Sequence, residues 1–242
     1  MADSAAQHSL GARAAAWSVH LYTALGLPLA YFCGDALVRG DASAFFLLAT
    51  LACFIDATDG FFARRFNVKE VTPEFSGRRL DDIVDYLHFV ALPMMAVPAL
   101  GLVPRDIGWI VVVPLMASGY GFCQERAKTD DAFVGFPSYW NILVLYLYVL
   151  QAPMWVTVGS LIVLSAMIFI PIHYVYPSRT KLMMPVTVGA GFIWMFMVIA
   201  MSLNPATAWA RQLGWISMAY PAYYWILSGV HHRQTQRRSA GA

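Results

Sequence analysis

The chain has 242 residues, of which 59% are apolar and only 12% are charged. A soluble domain usually carries about 25% charged residues, so this composition excludes an ordinary soluble protein and favours a bundle of membrane helices. The net charge of +2 is too small to indicate a nucleic-acid partner, and we expect none.

Eight apolar segments follow one another along the chain, separated by short connectors that contain Gly, Pro, Asn and Asp. Most are about as long as a helix that crosses a bilayer. They run approximately over residues 15–33, 42–63, 80–100, 107–124, 138–153, 155–175, 182–202 and 212–230. The fifth and sixth are divided only by a short connector at Pro153, but together they are too long for one crossing. We therefore predict an all-α, polytopic integral membrane helix bundle of about eight transmembrane helices, in a single domain, 1–242.

The distribution of basic residues predicts the side of the membrane on which each loop lies. If both termini are cytoplasmic, most of the 16 basic residues lie on the cytoplasmic side, whereas Arg39, Arg105 and Arg211 lie on the other. Membrane proteins show this excess of Lys and Arg in their cytoplasmic loops. The polar and basic tail 231–242 is then expected to be solvated near anionic lipid headgroups.

Acidic residues are concentrated where the second predicted span ends and the third begins. Asp56 and Asp59 are three residues apart, so they project from one face of a helix. Asp81 and Asp85, four residues apart, do the same on the next helix. A short connection should make these helices antiparallel and bring both pairs into one cavity. Asp82, about 100° around the helix from Asp81, is expected to lie outside it.

Four carboxylates that face one another repel strongly in a low dielectric. Divalent cations remove that repulsion, and Mg²⁺ and Mn²⁺ prefer oxygen ligands. We therefore predict that the four aspartates hold two divalent cations, Mn²⁺ or Mg²⁺. A purely structural role is disfavoured, because a carboxylate inside a span costs about 2.5–3.5 kcal/mol on insertion scales. A divalent-cation transporter is an alternative, since acids on adjacent spans also mark ion pathways.

Small and basic residues accompany the acids. Gly60 and Gly77 lack a side chain, so a bulky ligand can approach the backbone closely beside them. Ala63, one turn beyond Asp59, is expected to keep that helix face open. Arg64 lies at the rim of the predicted cavity and can bind a phosphate in bidentate fashion.

These residues resemble the signature of the CDP-alcohol phosphotransferase family, D-x2-D-G-x2-A-R-x8-G-x3-D-x3-D. Its fixed positions are filled in order by Asp56, Asp59, Gly60, Ala63, Arg64, Gly77, Asp81 and Asp85. One departure is the spacer 65–76, which has twelve residues where the common pattern has eight. The longer spacer, the chain length and the eight predicted spans are similar to the bacterial phosphatidylcholine synthase branch of that family.

The resemblance implies a reaction and a role for each matched residue. The phosphatidyl group of CDP-diacylglycerol would be transferred to choline, giving phosphatidylcholine and CMP. Asp85 would be the general base as well as a metal ligand, and Gly60, Ala63, Arg64 and Gly77 would line the CDP pocket. The site would face the cytoplasm from a bacterial inner membrane, among membrane lipids, and a homodimer is expected by analogy, because homodimers are common among similar proteins. Transfer to serine, inositol or glycerol 3-phosphate is the alternative within the family.

The acceptor implied by the resemblance has a quaternary ammonium group, which cannot donate hydrogen bonds, so an aromatic cage is expected to bind it. Six aromatic residues at the predicted depth of the cytoplasmic face are candidates for this cage: Tyr22, Tyr86, Tyr120, Tyr139, Trp140 and Tyr174. For each one, interfacial or packing roles are more common. Spans four to eight contain no cluster of Arg or Lys, which favours a neutral or cationic acceptor over a phosphorylated one.

Overall fold

The computed structural model describes residues 8–125, 132–177 and 180–240. Arg126, Lys128 and Arg179, which the sequence places in cytoplasmic loops, lie outside these ranges, as do the last two residues of the basic tail. The described residues are mainly helical, as predicted. The α-helices are α1 Leu10–Ala24, α2 Gly26–Val38, α3 Ala42–Arg65, α4 Val68–Val71, α5 Gly77–Asp85, α6 Leu92–Ala99, α7 Val112–Cys123, α8 Trp140–Val149, α9 Met154–Ile168, α10 Met184–Leu203, α11 Ala208–Ser217 and α12 Ala219–Ala240. A π-helical turn, Tyr86–Ala91, joins α5 to α6, and a 3-10 helix, Arg105–Val111, precedes α7.

Within the described ranges, four helical stretches are long and apolar enough to cross a membrane: Leu10–Val38, Ala42–Arg65, Arg105–Cys123 and Met184–Leu203. Two shorter apolar helices, α8 and α9, occupy most of the fifth and sixth predicted spans. They are separate helices, because the chain between them turns at Gln151, whose φ is 52°. A helical membrane protein is therefore confirmed at this coarser level.

A short two-stranded sheet departs from the all-α prediction. Strand β1, Ala132–Val134, pairs antiparallel with strand β2, His173–Val175. The sixth predicted span was wrong at its end, since α9 stops at Ile168 and residues 173–175 are extended. Both strands carry aromatic and β-branched side chains, which suit a pleated surface. Helix α12 packs against β2 and covers the sheet.

The basic tail is helical up to Ala240, as a continuation of α12, and is not a separate extension. Its side chains from Arg233 to Arg237 are mostly exposed, in line with the expected solvation, but His231 is buried.

The first three helices and α5 form the part of the bundle that carries the acids. Helices α1 and α2 are nearly continuous, with a break at Leu25, and both pack against α3. Helix α5 packs against α1. Side chains cap the starts of α3 and α5: Asp41 accepts a hydrogen bond from the Ala44 amide at 2.9 Å, and Ser76 accepts one from the Arg79 amide at 3.3 Å.

Candidate metal centre and active site

Three of the four predicted metal ligands come together between α3 and α5. One carboxylate oxygen each from Asp56, Asp81 and Asp85 lies within 4.8 Å of the other two. Asp85 is buried, with 6% of its surface exposed, and the other two are half-buried. Three hard oxygen donors at this spacing fit Mg²⁺ or Mn²⁺. The cluster is therefore able to bind a divalent metal ion.

Asp59 lines the same small cavity but does not belong to this three-carboxylate group. Its Oδ2 accepts a hydrogen bond of 2.9 Å from the Thr23 hydroxyl on α1, which orients the carboxylate toward that helix. The structure thus brings three predicted ligands together and leaves the fourth beside them. Asp82 lies outside the group, as expected, with its carboxylate 3.9 Å from Nε of Arg78.

The start of α2 contacts two residues, Val84 and His88, that line the cavity at the acids. The Nε2–H of His88 donates to the Gly26 carbonyl at 2.8 Å, so the buried His88 ring ties the π-helical turn to α2. A methyl group at Gly26 would collide with the Val84 side chain on α5. Sequence reasoning missed both residues, because neither a π-helical turn nor a close helix contact leaves a periodic pattern. π-helical turns are frequent at functional sites.

The long spacer between α3 and α5 folds back onto α1. Helix α4 lies within it, and its Val68 and Val71 are buried against the α1 face. The spacer is also tied to α1 by an ion pair of 3.0 Å between Arg13 and Glu74, and by the ring of Phe75, 4.5 Å from the His20 ring. These contacts fix the start of α5, and therefore Asp81 and Asp85, relative to α1.

The predicted CDP-binding residues divide into two groups. Gly60 is open: among described residues, only Nη1 of Arg64 would contact an added Cβ there, at 3.3 Å. The exposed Arg64 guanidinium therefore lies beside an open stretch of helix backbone. Gly77 and Ala63 instead serve packing. A Cβ at Gly77 would lie 2.9 Å from the His20 ring, and Ala63 packs against the α1–α4 contact, so it does not keep an open face as expected.

The six aromatic candidates do not form one cage. Trp140 and Tyr174 are fully buried, and Nε1 of Trp140 donates to the Ser118 hydroxyl at 2.7 Å. Tyr86 donates to the carbonyl of Leu115 at 2.9 Å. These contacts are those of packed side chains.

Tyr22 and Tyr120 contact different parts of the chain. The Tyr22 hydroxyl is 2.7 Å from that of Thr58, one residue before Asp59, so this half-buried ring is close to the acids. Tyr120 is exposed beside Phe169, with ring centroids 4.9 Å apart.

Tyr139 is two residues from a hydrogen bond that joins α8 to α3, the helix that carries Asp56. Two residues further on, Nδ2 of Asn141 donates to Sγ of Cys53 at 2.8 Å, which joins the start of α8 to α3. Cys53 is one helical turn before Asp56.

Comparison with known proteins gives a consistent family. No protein-family model matches the chain. The phosphatidylcholine synthase of Pseudomonas aeruginosa is 36% identical over 185 residues, which cover 76% of this chain and 78% of that protein. The enzyme of the same name from Legionella pneumophila is 42% identical over 174 residues, 68% of this chain and 66% of that protein. The one from Borreliella burgdorferi is 30% identical over 229 residues, 92% of this chain and 97% of that protein.

These similarities extend far beyond the 56–85 signature and favour an enzyme over a cation transporter. The chain belongs to the bacterial phosphatidylcholine synthases, a branch of the CDP-alcohol phosphotransferase family.

Proposed function

We propose that this chain transfers the phosphatidyl group of CDP-diacylglycerol to the hydroxyl of choline, giving phosphatidylcholine and CMP. Family membership makes it a transferase of phospholipid synthesis with a lipid substrate and an alcohol acceptor. The observation that carries the mechanism is the convergence of Asp56, Asp81 and Asp85 within 4.8 Å, beside the open Gly60 backbone and the Arg64 guanidinium.

The metal ligands in this proposal are Asp56, Asp81 and Asp85, and Asp59 would complete a second position. We infer two divalent cations, Mn²⁺ or Mg²⁺, because Asp59 lines the same cavity and its carboxylate is held in place by Thr23. When bound, the cations would neutralise the pyrophosphate and the charge that develops during transfer. Arg64 would contribute a bidentate contact to the pyrophosphate, and Gly60 would allow the nucleotide to approach the helix backbone.

Asp85 would act as the general base. A carboxylate Oδ of Asp85 accepts the proton of the choline hydroxyl while that oxygen forms a bond to the phosphorus that carries the diacylglycerol. The bond from this phosphorus to the CMP oxygen breaks, and CMP leaves with the electron pair. The burial of Asp85 supports this role, because a cavity with little water keeps competing hydrolysis of the lipid substrate low.

We also propose that residues 1–242 form one domain with eight spans, and that both termini and the acidic site face the cytoplasm from a bacterial inner membrane. The basic residues that flank the acids, among them Arg64 and Arg79, support this orientation. Pairing of two chains in a homodimer remains part of the proposal, and the mass of the purified protein in detergent tests it.

The test is an acceptor screen. Purified chain with Mn²⁺ and CDP-diacylglycerol should convert labelled choline to phosphatidylcholine and release an equal amount of CMP. Serine, inositol, ethanolamine and glycerol 3-phosphate serve as competing acceptors. Turnover of serine or glycerol 3-phosphate without turnover of choline would contradict the proposed acceptor and assign the chain another one.

A further inference from the structure

Four aromatic side chains from separate parts of the chain meet near the start of α8. They are Phe133 of β1, Tyr139 before α8, Tyr176 directly after β2, and Tyr224 of α12. The Phe133 and Tyr176 rings stack with centroids 4.5 Å apart, and Tyr139 contacts Phe133 edge to face at 6.3 Å. Tyr224 contacts Tyr139 in the same manner at 6.4 Å. We call this group the aromatic wall.

The aromatic wall is fixed in place by backbone contacts. The pairing of β1 with β2 holds Phe133 opposite Tyr174, two residues before Tyr176. The Tyr224 hydroxyl donates to the Val175 carbonyl at 3.0 Å, which joins α12 to the same strand. The wall is therefore a built surface and not a chance approach of mobile side chains.

The aromatic wall adjoins the metal centre. The 2.8 Å hydrogen bond from Asn141 to Cys53 places the start of α8 one helical turn from Asp56. Tyr139 precedes Asn141 by two residues, so the aromatic wall begins beside this contact between α8 and α3. The carboxylates of α3 and the rings of the aromatic wall are thus linked through the contact between α8 and α3.

This pairing of features suits one kind of ligand group. A quaternary ammonium has no N–H to donate, and it is attracted to ring faces within about 6 Å of their centroids. Phe133, Tyr139 and Tyr176 are half-buried, so they are partly shielded from water yet retain exposed surface. Partial exclusion of water strengthens such a contact.

We propose that the aromatic wall binds the quaternary ammonium of the acceptor and orients its hydroxyl toward Asp85. The proposal rests on the proposed function. It assigns acceptor binding to Phe133, Tyr176 and Tyr224, together with Tyr139, and to none of the other five aromatic candidates from the sequence.

The experiment measures binding of labelled choline by equilibrium dialysis, which needs no turnover, and the KM for choline in the synthesis assay. Phe133→Leu and Tyr176→Leu should each weaken choline binding and raise its KM roughly tenfold. The KM for CDP-diacylglycerol should stay near the wild-type value. Tyr176→Phe, which keeps the ring, should restore most of the choline binding lost in Tyr176→Leu, because the ring face and not the hydroxyl makes the contact. Tyr31→Leu is the matched control, because Tyr31 is 72% exposed on α2 and its ring contacts that of Phe32.

Inhibition by two acceptor analogues shows whether the aromatic wall recognises the positive charge of choline or only its apolar methyl groups. Tetramethylammonium should inhibit the wild-type chain and lose potency in Tyr176→Leu, whereas the neutral 3,3-dimethylbutan-1-ol should lose little. Equal loss for both compounds, or unchanged choline binding in the two Leu variants, would overturn the proposal. Failure of the proposed function has a different signature, since the wild-type chain would then make no phosphatidylcholine from choline, whether or not it bound choline.

Discussion

At the scale of single residues, surroundings distinguish Asp85 from its neighbour Asp82. Asp85 is buried within the three-carboxylate group, whereas Asp82 lies outside it, near Arg78. Asp85→Asn keeps the size of the side chain but removes the base, so phosphatidylcholine synthesis should fall by roughly 10²–10⁴-fold. Binding of CDP-diacylglycerol should largely persist. The matched control, Asp82→Asn, should change the rate by less than about twofold. Wild-type turnover in Asp85→Asn would remove the assigned base.

Thr23 is a second residue whose role depends on one contact. Its hydroxyl donates to Asp59, and Thr23→Val deletes the donor with little change of shape. A hydrogen bond to a charged group contributes about 1.5–3 kcal/mol. The Mn²⁺ concentration for half-maximal synthesis should therefore rise about tenfold or more. Thr50→Val is the control, because the Thr50 hydroxyl is also buried on α3 but donates to the Phe46 carbonyl and lies 3.4 Å from the Ser202 hydroxyl. An identical Mn²⁺ dependence in both variants would show that Asp59 needs no orientation by Thr23.

At the scale of helices, the contact between α2 and α5 depends on one glycine. Gly26→Ala would place a methyl group against Val84, and forced overpacking typically costs 1–3 kcal/mol. We expect a lower midpoint of thermal unfolding in detergent and reduced synthesis, because α5 carries Asp81 and Asp85. Gly34→Ala, on the same helix, has no atom within 4 Å of the new methyl group among described residues and should unfold at or above the wild-type midpoint, because Ala favours a helix more than Gly does. Equal midpoints for the two variants would contradict this contact.

Local spacing explains which parts of the site were predictable from the sequence. The interval of three residues between Asp56 and Asp59, and of four between Asp81 and Asp85, predicted that each pair lies on one helix face. The structure brings Asp56, Asp81 and Asp85 together. Apolar segment length likewise located the main helices. The Asp59 orientation was not predictable, because it depends on a hydroxyl from another helix.

Long-range contacts explain what the sequence did not reveal. The pairing of β1 with β2 joins distant short segments, and the residues 173–175 look like the apolar end of a helix when read alone. The aromatic wall depends on that pairing, so only Tyr139 among its members was a candidate. The spacer's short helix α4 was also missed, although the extra residues between Arg64 and Gly77 were evident.

At the scale of the whole molecule, the orientation in the membrane is open to direct measurement. In a variant without its three cysteines, Arg39→Cys and Glu70→Cys would lie on opposite sides of the bilayer. A membrane-impermeant maleimide should label Arg39→Cys in intact bacterial cells after outer-membrane permeabilisation. Glu70→Cys, in the spacer next to the acids, should be labelled only after the inner membrane is broken. Labelling of Glu70→Cys in intact cells would contradict a cytoplasmic site.

The most direct test of the whole account is Mn²⁺ binding by the purified chain, measured by electron paramagnetic resonance alongside phosphatidylcholine synthesis in the same samples. Asp81→Asn removes one of the three converging carboxylates, so we predict at least roughly tenfold weaker Mn²⁺ binding together with loss of synthesis. Asp82→Asn, its neighbour outside the group, should keep both. Mn²⁺ bound as tightly by Asp81→Asn as by the wild type, with synthesis intact, would contradict a metal centre at these carboxylates.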